Sequence, residues 1–343
     1  MYKLKIAETA LENILYINMG LKQGESVLLL NDVPGPEDWT LPFDFLTKFL
    51  ARSVMVREIF DYYSKLKGNN IIDYLTFDST GQQGAEPPEH VARQMKEHDV
   101  VLAITTYSLT HTNAREGATV NGARVASMPG LEPEMLREGG PMTVDYESVS
   151  HETLRLAEII DKATAARVES PAGTAITFSL ENRSGRADTG IFSERGQWGN
   201  LPAGEAYAAP VEGTAEGTLV VPAGWYEGLD TTMKLQFSKG YVTSIKGGGK
   251  VGEEFRKLLQ TGNEAFLHRR NCAELGVGTN PLAQNAQNTL EAEKILGTVH
   301  IAVGDSSHFG GLTESDLHED FVIPEATLYL DEKIILKNGI LMI

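Results

Sequence analysis

The chain has 343 residues, 41% hydrophobic and 22% charged, the composition of a globular protein long enough for two domains. A net charge of −17 argues against the basic face that a nucleic-acid-binding surface needs, and no apolar run approaches the roughly 20 residues that span a bilayer. The single cysteine, Cys272, excludes an intrachain disulfide framework and a thiolate-rich zinc cluster.

The N-terminal stretch places apolar residues at helical spacing over Lys5–Met19, with charges inside it and no small-residue cleavage site. It reads as an amphipathic helix rather than a signal peptide, and a cytoplasmic location is expected. Val27–Leu30 is a short strand, Leu41–Leu50 returns to helical spacing, Val54–Ile59 reads as strand and Pro88–His98 as helix. Val100–Thr105 and Arg124–Met128 are further buried strands, and Met142–Lys162 is a helix. Strands separated by helices of this length predict an α/β domain over residues 1–166 with a mainly parallel, doubly wound sheet. No G-x-G-x-x-G follows the first strand, so a dinucleotide site is not indicated. Tyr107–Arg115, with His111 and Arg115, falls where open sheets place ligands, but is read first as a solvated loop opening a helix.

Beyond residue 166 the texture changes to short strands with frequent glycines and polar turns. Ala175–Leu180, Gly217–Val221, Thr232–Phe237 and Tyr241–Ile245 are strands, as are Ala326–Leu330 and Lys333–Leu336 near the C-terminus. Residues 167–343 are therefore expected to form a β-rich α+β domain. Gly247–Lys250 lacks the P-loop spacing and reads as a hairpin exit.

The chemistry concentrates in this second half. Thr298–Asp320 holds His300, His308 and His318, three of the eight histidines in the chain. Alternation over Val299–Val303 puts His300 on the face opposite Val299, Ile301 and Val303, and on an extended segment His318 and Asp320 share a face. Glu205 follows a tight Pro-Ala-Gly turn. Glu274 stands in an apolar, glycine-punctuated run, where a carboxylate needs Arg269, Arg270 or a cation as partner. Glu293 precedes His300 by seven residues. Carboxylate oxygens with neutral imidazoles and no thiolate suit Zn²⁺, Mn²⁺, Co²⁺ or Fe²⁺, and bridging carboxylates would allow a pair of ions.

The ordered blocks NLPAGEAYAAPVEGTAEGTLVV, AELGVGTNP, EKILGTVHIAVG, FGG and HED resemble the aminopeptidase T family of metallo-aminopeptidases over most of residues 168–343, and more loosely before them. The resemblance implies an N-terminal α/β domain, a C-terminal domain with two divalent metal ions, a homodimer enclosing the site, and release of N-terminal residues from short peptides. It implies Glu205, Glu274, His300, His318 and Asp320 as metal ligands, with Glu274 or Glu293 handling the proton of a metal-activated water. Where the family carries a tyrosine after the His-x-Ala-x-Gly strand, this chain has Ser307 and His308. The alternative is a mononuclear iron dioxygenase. The fold is also similar to that of 2,5-dihydroxypyridine dioxygenase, and His300, His318 and Asp320 would then form its triad of two histidines and one carboxylate. A third reading is a metal-binding protein without catalysis. The expected partner is a short peptide or another small molecule, with neither nucleic acid nor membrane.

Overall fold

A computed structural model describes residues 5–66 and 68–343. The chain divides into two compact units: the first runs up to Tyr146 and resumes over Gly190–Ala203, and the second comprises Glu147–Thr189 and Gly204–Ile343. The helix Tyr146–Asp161, which the sequence reading set before a boundary at 166, thus groups almost wholly with the second unit.

The first unit is an α/β domain with a five-stranded sheet in the order Ile71–Asp78, Ser26–Val33, Val100–Ala103, Arg124–Ser127, Trp198–Asn200, every pair parallel. Leu28, Leu30, Val101, Ala103 and Val125 from its central strands pack with Val91, Met95, Ala114 and Ala118 from the helices Glu89–Glu97 and Asn113–Val120. Burying apolar strands under helices is what makes a parallel sheet stable. One predicted strand is corrected: Val54–Ile59 lies inside a 21-residue helix, Phe43–Tyr63. Phe49, Arg52, Met55, Val56, Ile59 and Tyr63 are buried at helical spacing, while Val54, which strand alternation cannot place, is exposed.

The second unit is β-rich. An eight-stranded sheet runs from Tyr241–Gly247 at one edge to Ile340–Leu341 at the other, and a five-stranded sheet has the order His318–Ile323, Val299–Gly304, Cys272–Gly278, Glu205–Ala208, Arg186–Asp188. All five of the latter strands pair antiparallel. One face of this sheet supplies Leu275, Val277, Val299, Ile301, Val303, Phe321 and Ile323 to a core shared with Val168, Ile176, Phe178, Leu219 and Leu235 of the larger sheet. Alternation then sends Glu274, His300, His318 and Asp320 to the other face. Among the described residues no helix is long and apolar enough to cross a membrane.

Candidate metal centre

Register brings the candidate side chains into neighbouring rows. Asp188 lies opposite Glu205, which pairs with Gly278; Tyr207 and His300 flank Gly276; Ala302 lies between Glu274 and Asp320; and Gly304 faces His318. Small residues in the middle of this face leave the room that the functional side chains fill. A Cβ on Gly276 would stand 1.9 Å from His300 Nε2, so the imidazole lies directly over that glycine. Glu205 opens its strand rather than hanging in a loop. Gly204 before it adopts φ +120°, donates its N–H to Asp188 and accepts from Thr279, which fixes where the carboxylate enters the sheet.

Two trios of donors result, Glu205–Glu274–His300 and Glu274–His318–Asp320, each with donor atoms within 4.8 Å of one another. Glu274 belongs to both. Its Oε1 lies 3.4 Å from His300 Nε2 and its Oε2 3.4 Å from His318 Nε2. His300 Nε2 is also 3.2 Å from Glu205 Oε2, and His318 Nε2 is 3.5 Å from Asp320 Oδ2. The partners of Glu274 are thus the two histidines. Arg269 pairs with Asp316, and Arg270 donates to the Asn263 carbonyl. His300, His318 and Asp320 do not make one trio: His300 falls in the first set, His318 and Asp320 in the second.

The donor set fits a divalent ion. Asp320 Oδ1 is buried with no hydrogen-bond partner, a costly state for a carboxylate oxygen that a cation relieves. His318 Nδ1 lies 2.8 Å from the Asp305 carbonyl, which can only accept; Nδ1 therefore carries the proton and Nε2 is left as a ligand atom. Four carboxylates crowd the cluster and set its titration. Burial alone would lower both histidines, but Glu205 and Glu274 hold His300 well above an ordinary imidazole, and Asp320 and Glu274 do the same for His318. Burial would raise Glu205, yet Lys294 and His300 bring it down to about 2; Glu274 is likewise lowered by His300 and His318. Glu293 goes the other way. Burial, against the pull of Lys294 and with Asp320 and Glu205 nearby, pushes it up to about 8, which suits a proton carrier near neutral pH.

Sequence reasoning passed over Lys294, whose Nζ donates to Glu205 Oε1 at 2.5 Å and Glu293 Oε2 at 2.9 Å. Its side chain is 2% exposed. It also gave no role to Tyr207 and Phe309. Their rings meet at 5.7 Å, and Phe309 stands edge-on to His318 at 5.6 Å. His308 is exposed and belongs to neither trio. His111 and Arg115 lie in the first unit, where Arg115 stacks on Trp198 at 3.9 Å and Thr112 caps the following helix.

Fold and donors together define a candidate metal centre, carboxylates and imidazoles gathered on one face of an antiparallel sheet. The family model for NicX, 2,5-dihydroxypyridine 5,6-dioxygenase, matches residues 57–343, and the chain belongs to that family. The 2,5-dihydroxypyridine 5,6-dioxygenase of Pseudomonas putida KT2440 is 25% identical over 252 residues, covering 69% of this chain and 70% of that protein. The solved structure of 2,5-dihydroxypyridine dioxygenase from the same organism superposes with a TM-score of 0.71 at 20% identity, over 97% of this chain and 96% of its own. Wild-type AmpT from Thermus thermophilus superposes with a TM-score of 0.65 at 16% identity, over 98% of both chains. At those identities the two structures speak for the fold, which this chain shares with both. The expectation of aminopeptidase T as the family gives way to the dioxygenase family that the sequence match names.

Proposed function

We propose that this chain is a metal-dependent dioxygenase that opens a small hydroxylated aromatic ring, with Fe²⁺ held by Glu274, His318 and Asp320. The observation that carries the reading is this trio, oriented by the Asp305 carbonyl, in a chain matched to the dioxygenase family over residues 57–343. The chemistry a bound ferrous ion supplies is activation of dioxygen toward an electron-rich ring. The chain's own residues do the rest. Phe309 and Tyr207 offer aromatic faces beside His318 against which a flat substrate packs. Glu293, part-buried and held by Lys294, exchanges a proton with a ring hydroxyl. The first substrate to test is 2,5-dihydroxypyridine, the compound named for the Pseudomonas putida relative. Stoichiometric oxygen uptake with loss of the ring absorbance, dependent on Fe²⁺, supports the reading.

One observation favours a second reading. Glu274 presents one oxygen to each trio, the way a shared carboxylate bridges two ions, and the Fe²⁺ trio has one imidazole and two carboxylates where the facial triad of iron oxygenases has two histidines. On that reading the chain is a two-metal aminopeptidase for short peptides, with Glu274 or Glu293 acting on the attacking water. Amino-acid release from a dipeptide by the Zn²⁺-, Co²⁺- or Mn²⁺-loaded chain, without oxygen uptake, would favour it and sink the first.

A further inference from the structure

Lys294 brings a fixed positive charge into the cluster. Its backbone N–H donates to Glu291 at 3.0 Å, and its carbonyl accepts from Asn280 at 2.8 Å. The segment around it lies tight against Gly278, where a Cβ would meet the Ile295 carbonyl oxygen at 2.1 Å and that of Glu293 at 2.8 Å. The side chain that the ammonium ends is 2% exposed, closed off from water. Ammonium has three donors and no acceptor capacity, and here it takes Glu205 Oε1 and Glu293 Oε2.

The two trios are also unequal. His318 has a backbone carbonyl to fix its ring, whereas His300 Nδ1 is buried with no hydrogen-bond partner. Metal-bound histidines almost always donate their second nitrogen to such an acceptor. Charge points the same way. The Lys294 ammonium already places a positive charge 2.5 Å from Glu205 Oε1. A second divalent ion would sit in the trio of Glu205, the carboxylate that already holds the ammonium, and the two positive charges would repel each other in a buried place.

We propose that Lys294 is the second cation of this centre: it holds Glu205 in place of a metal ion, so that the cluster takes up a single divalent ion at Glu274, His318 and Asp320. The inference deepens the dioxygenase reading and rests on it for the role of that one ion. Lys294 is a positioning residue, and its effect is read from metal content rather than turnover.

The test is equilibrium dialysis of the chelator-stripped full chain against Mn²⁺, with electron paramagnetic resonance of the loaded protein. Wild type should bind one Mn²⁺ per chain, at least about 100-fold tighter than any further ion, with the spectrum of isolated ions. Lys294→Met should take up a second Mn²⁺ and show an exchange-coupled pair, and Lys294→Met with Glu205→Gln should return to one. Wild type binding two Mn²⁺ tightly, or folded Lys294→Met still binding one, overturns the proposal. If Lys294→Met does not fold, wild type and the charge-keeping Lys294→Arg decide it, since two tight ions in either refute it. Oxygen uptake with 2,5-dihydroxypyridine separates the two layers. Two tight ions with oxygen uptake sinks only the Lys294 inference; one ion without uptake sinks only the dioxygenase reading.

Discussion

Gly276→Ala is the substitution whose consequence follows most directly from the geometry of the centre. Gly276 is an interior residue of the Cys272–Gly278 strand, directly opposite His300, and its backbone lies outside the left-handed region, so alanine brings no strain of its own. The added methyl would stand 1.9 Å from His300 Nε2 and 2.2 Å from Cε1, where ordinary contact begins near 3.4 Å. The ring must retreat by about 1.5 Å, the difference between those values. His300 is fully buried and already lies 3.2 Å from Glu205 and 3.4 Å from Glu274, so its retreat disturbs the carboxylate shared by both trios. Overpacking of this kind costs about 1–3 kcal/mol, and disturbing a group that orients a ligand lowers metal affinity by about 10–100-fold. The assay is a double-mutant cycle: denaturant unfolding of wild type, Gly276→Ala, His300→Ala and the double variant, with Mn²⁺ affinity of each. In the His300→Ala background the three atoms nearest the added methyl are gone, so the coupling between the two sites should equal most of the single-variant cost. Equal cost of Gly276→Ala in both backgrounds, or metal affinity within twofold of wild type, refutes the placement of the imidazole over the glycine.

Three further outcomes follow from other parts of the molecule. Burial raises Asp32 to about 6 against the N–H groups of Thr106 and Tyr107 and the charge of Arg52, so the folded chain binds this proton more tightly than the unfolded chain does at the ordinary value of 3.8. Its contribution to stability is complete below pH 3.8 and declines as pH rises through 6, by roughly 3 kcal/mol; Asp32→Asn should abolish that slope in urea unfolding at pH 4 and 7, and an unchanged slope would contradict it. Glu293→Gln should remove from the pH profile of kcat/KM the ionisation of a carboxyl that burial holds above its usual range, and a profile like that of wild type denies Glu293 the proton-carrying role. Glu212 accepts from the Leu312 N–H at 2.6 Å and pairs with Arg183, which in turn donates to the Gly310 carbonyl, so the two clamp the turn that carries Phe309. Glu212→Ala should raise KM about 10-fold or more with a smaller fall in kcat; an unchanged KM would show that this turn does not shape the substrate slot.

What the sequence discloses and what it hides divide along physical lines. Val299–Val303 alternates strictly because one face is core and the other holds the site, so His300 could be placed on its correct face from spacing alone. His318 and Asp320 follow for the same reason, and Val27–Leu30, Val100–Thr105 and Arg124–Met128 are visible as apolar runs because a parallel sheet is covered by helices. The strand Ile71–Asp78 was missed: it is an edge strand, with only Phe77 of its eight residues buried, so its pattern carries little signal. Val54–Ile59 misleads because β-branched residues in a short window resemble a strand, while helical burial shows only over the full 21 residues. Nothing local tells that Gly190–Ala203 returns to the first unit and adds a strand there. Lys294 sat inside a quoted motif, but that its ammonium reaches Glu205, 89 positions away, is a property of the fold. The candidate donors were legible in the sequence. The reaction was not, because the same fold appears in a dioxygenase and in AmpT, and donor identity alone does not choose between them.

The central claim is an oxygen-dependent ring opening at Glu274, His318 and Asp320. Its most direct test is an oxygen electrode on the anaerobically Fe²⁺-loaded chain with 2,5-dihydroxypyridine, read beside Asp320→Asn. One dioxygen consumed per ring lost, abolished in Asp320→Asn and absent with Zn²⁺, is the predicted result. No oxygen uptake by an iron-loaded, folded chain that instead releases amino acids from a dipeptide with Zn²⁺, Co²⁺ or Mn²⁺ would contradict it.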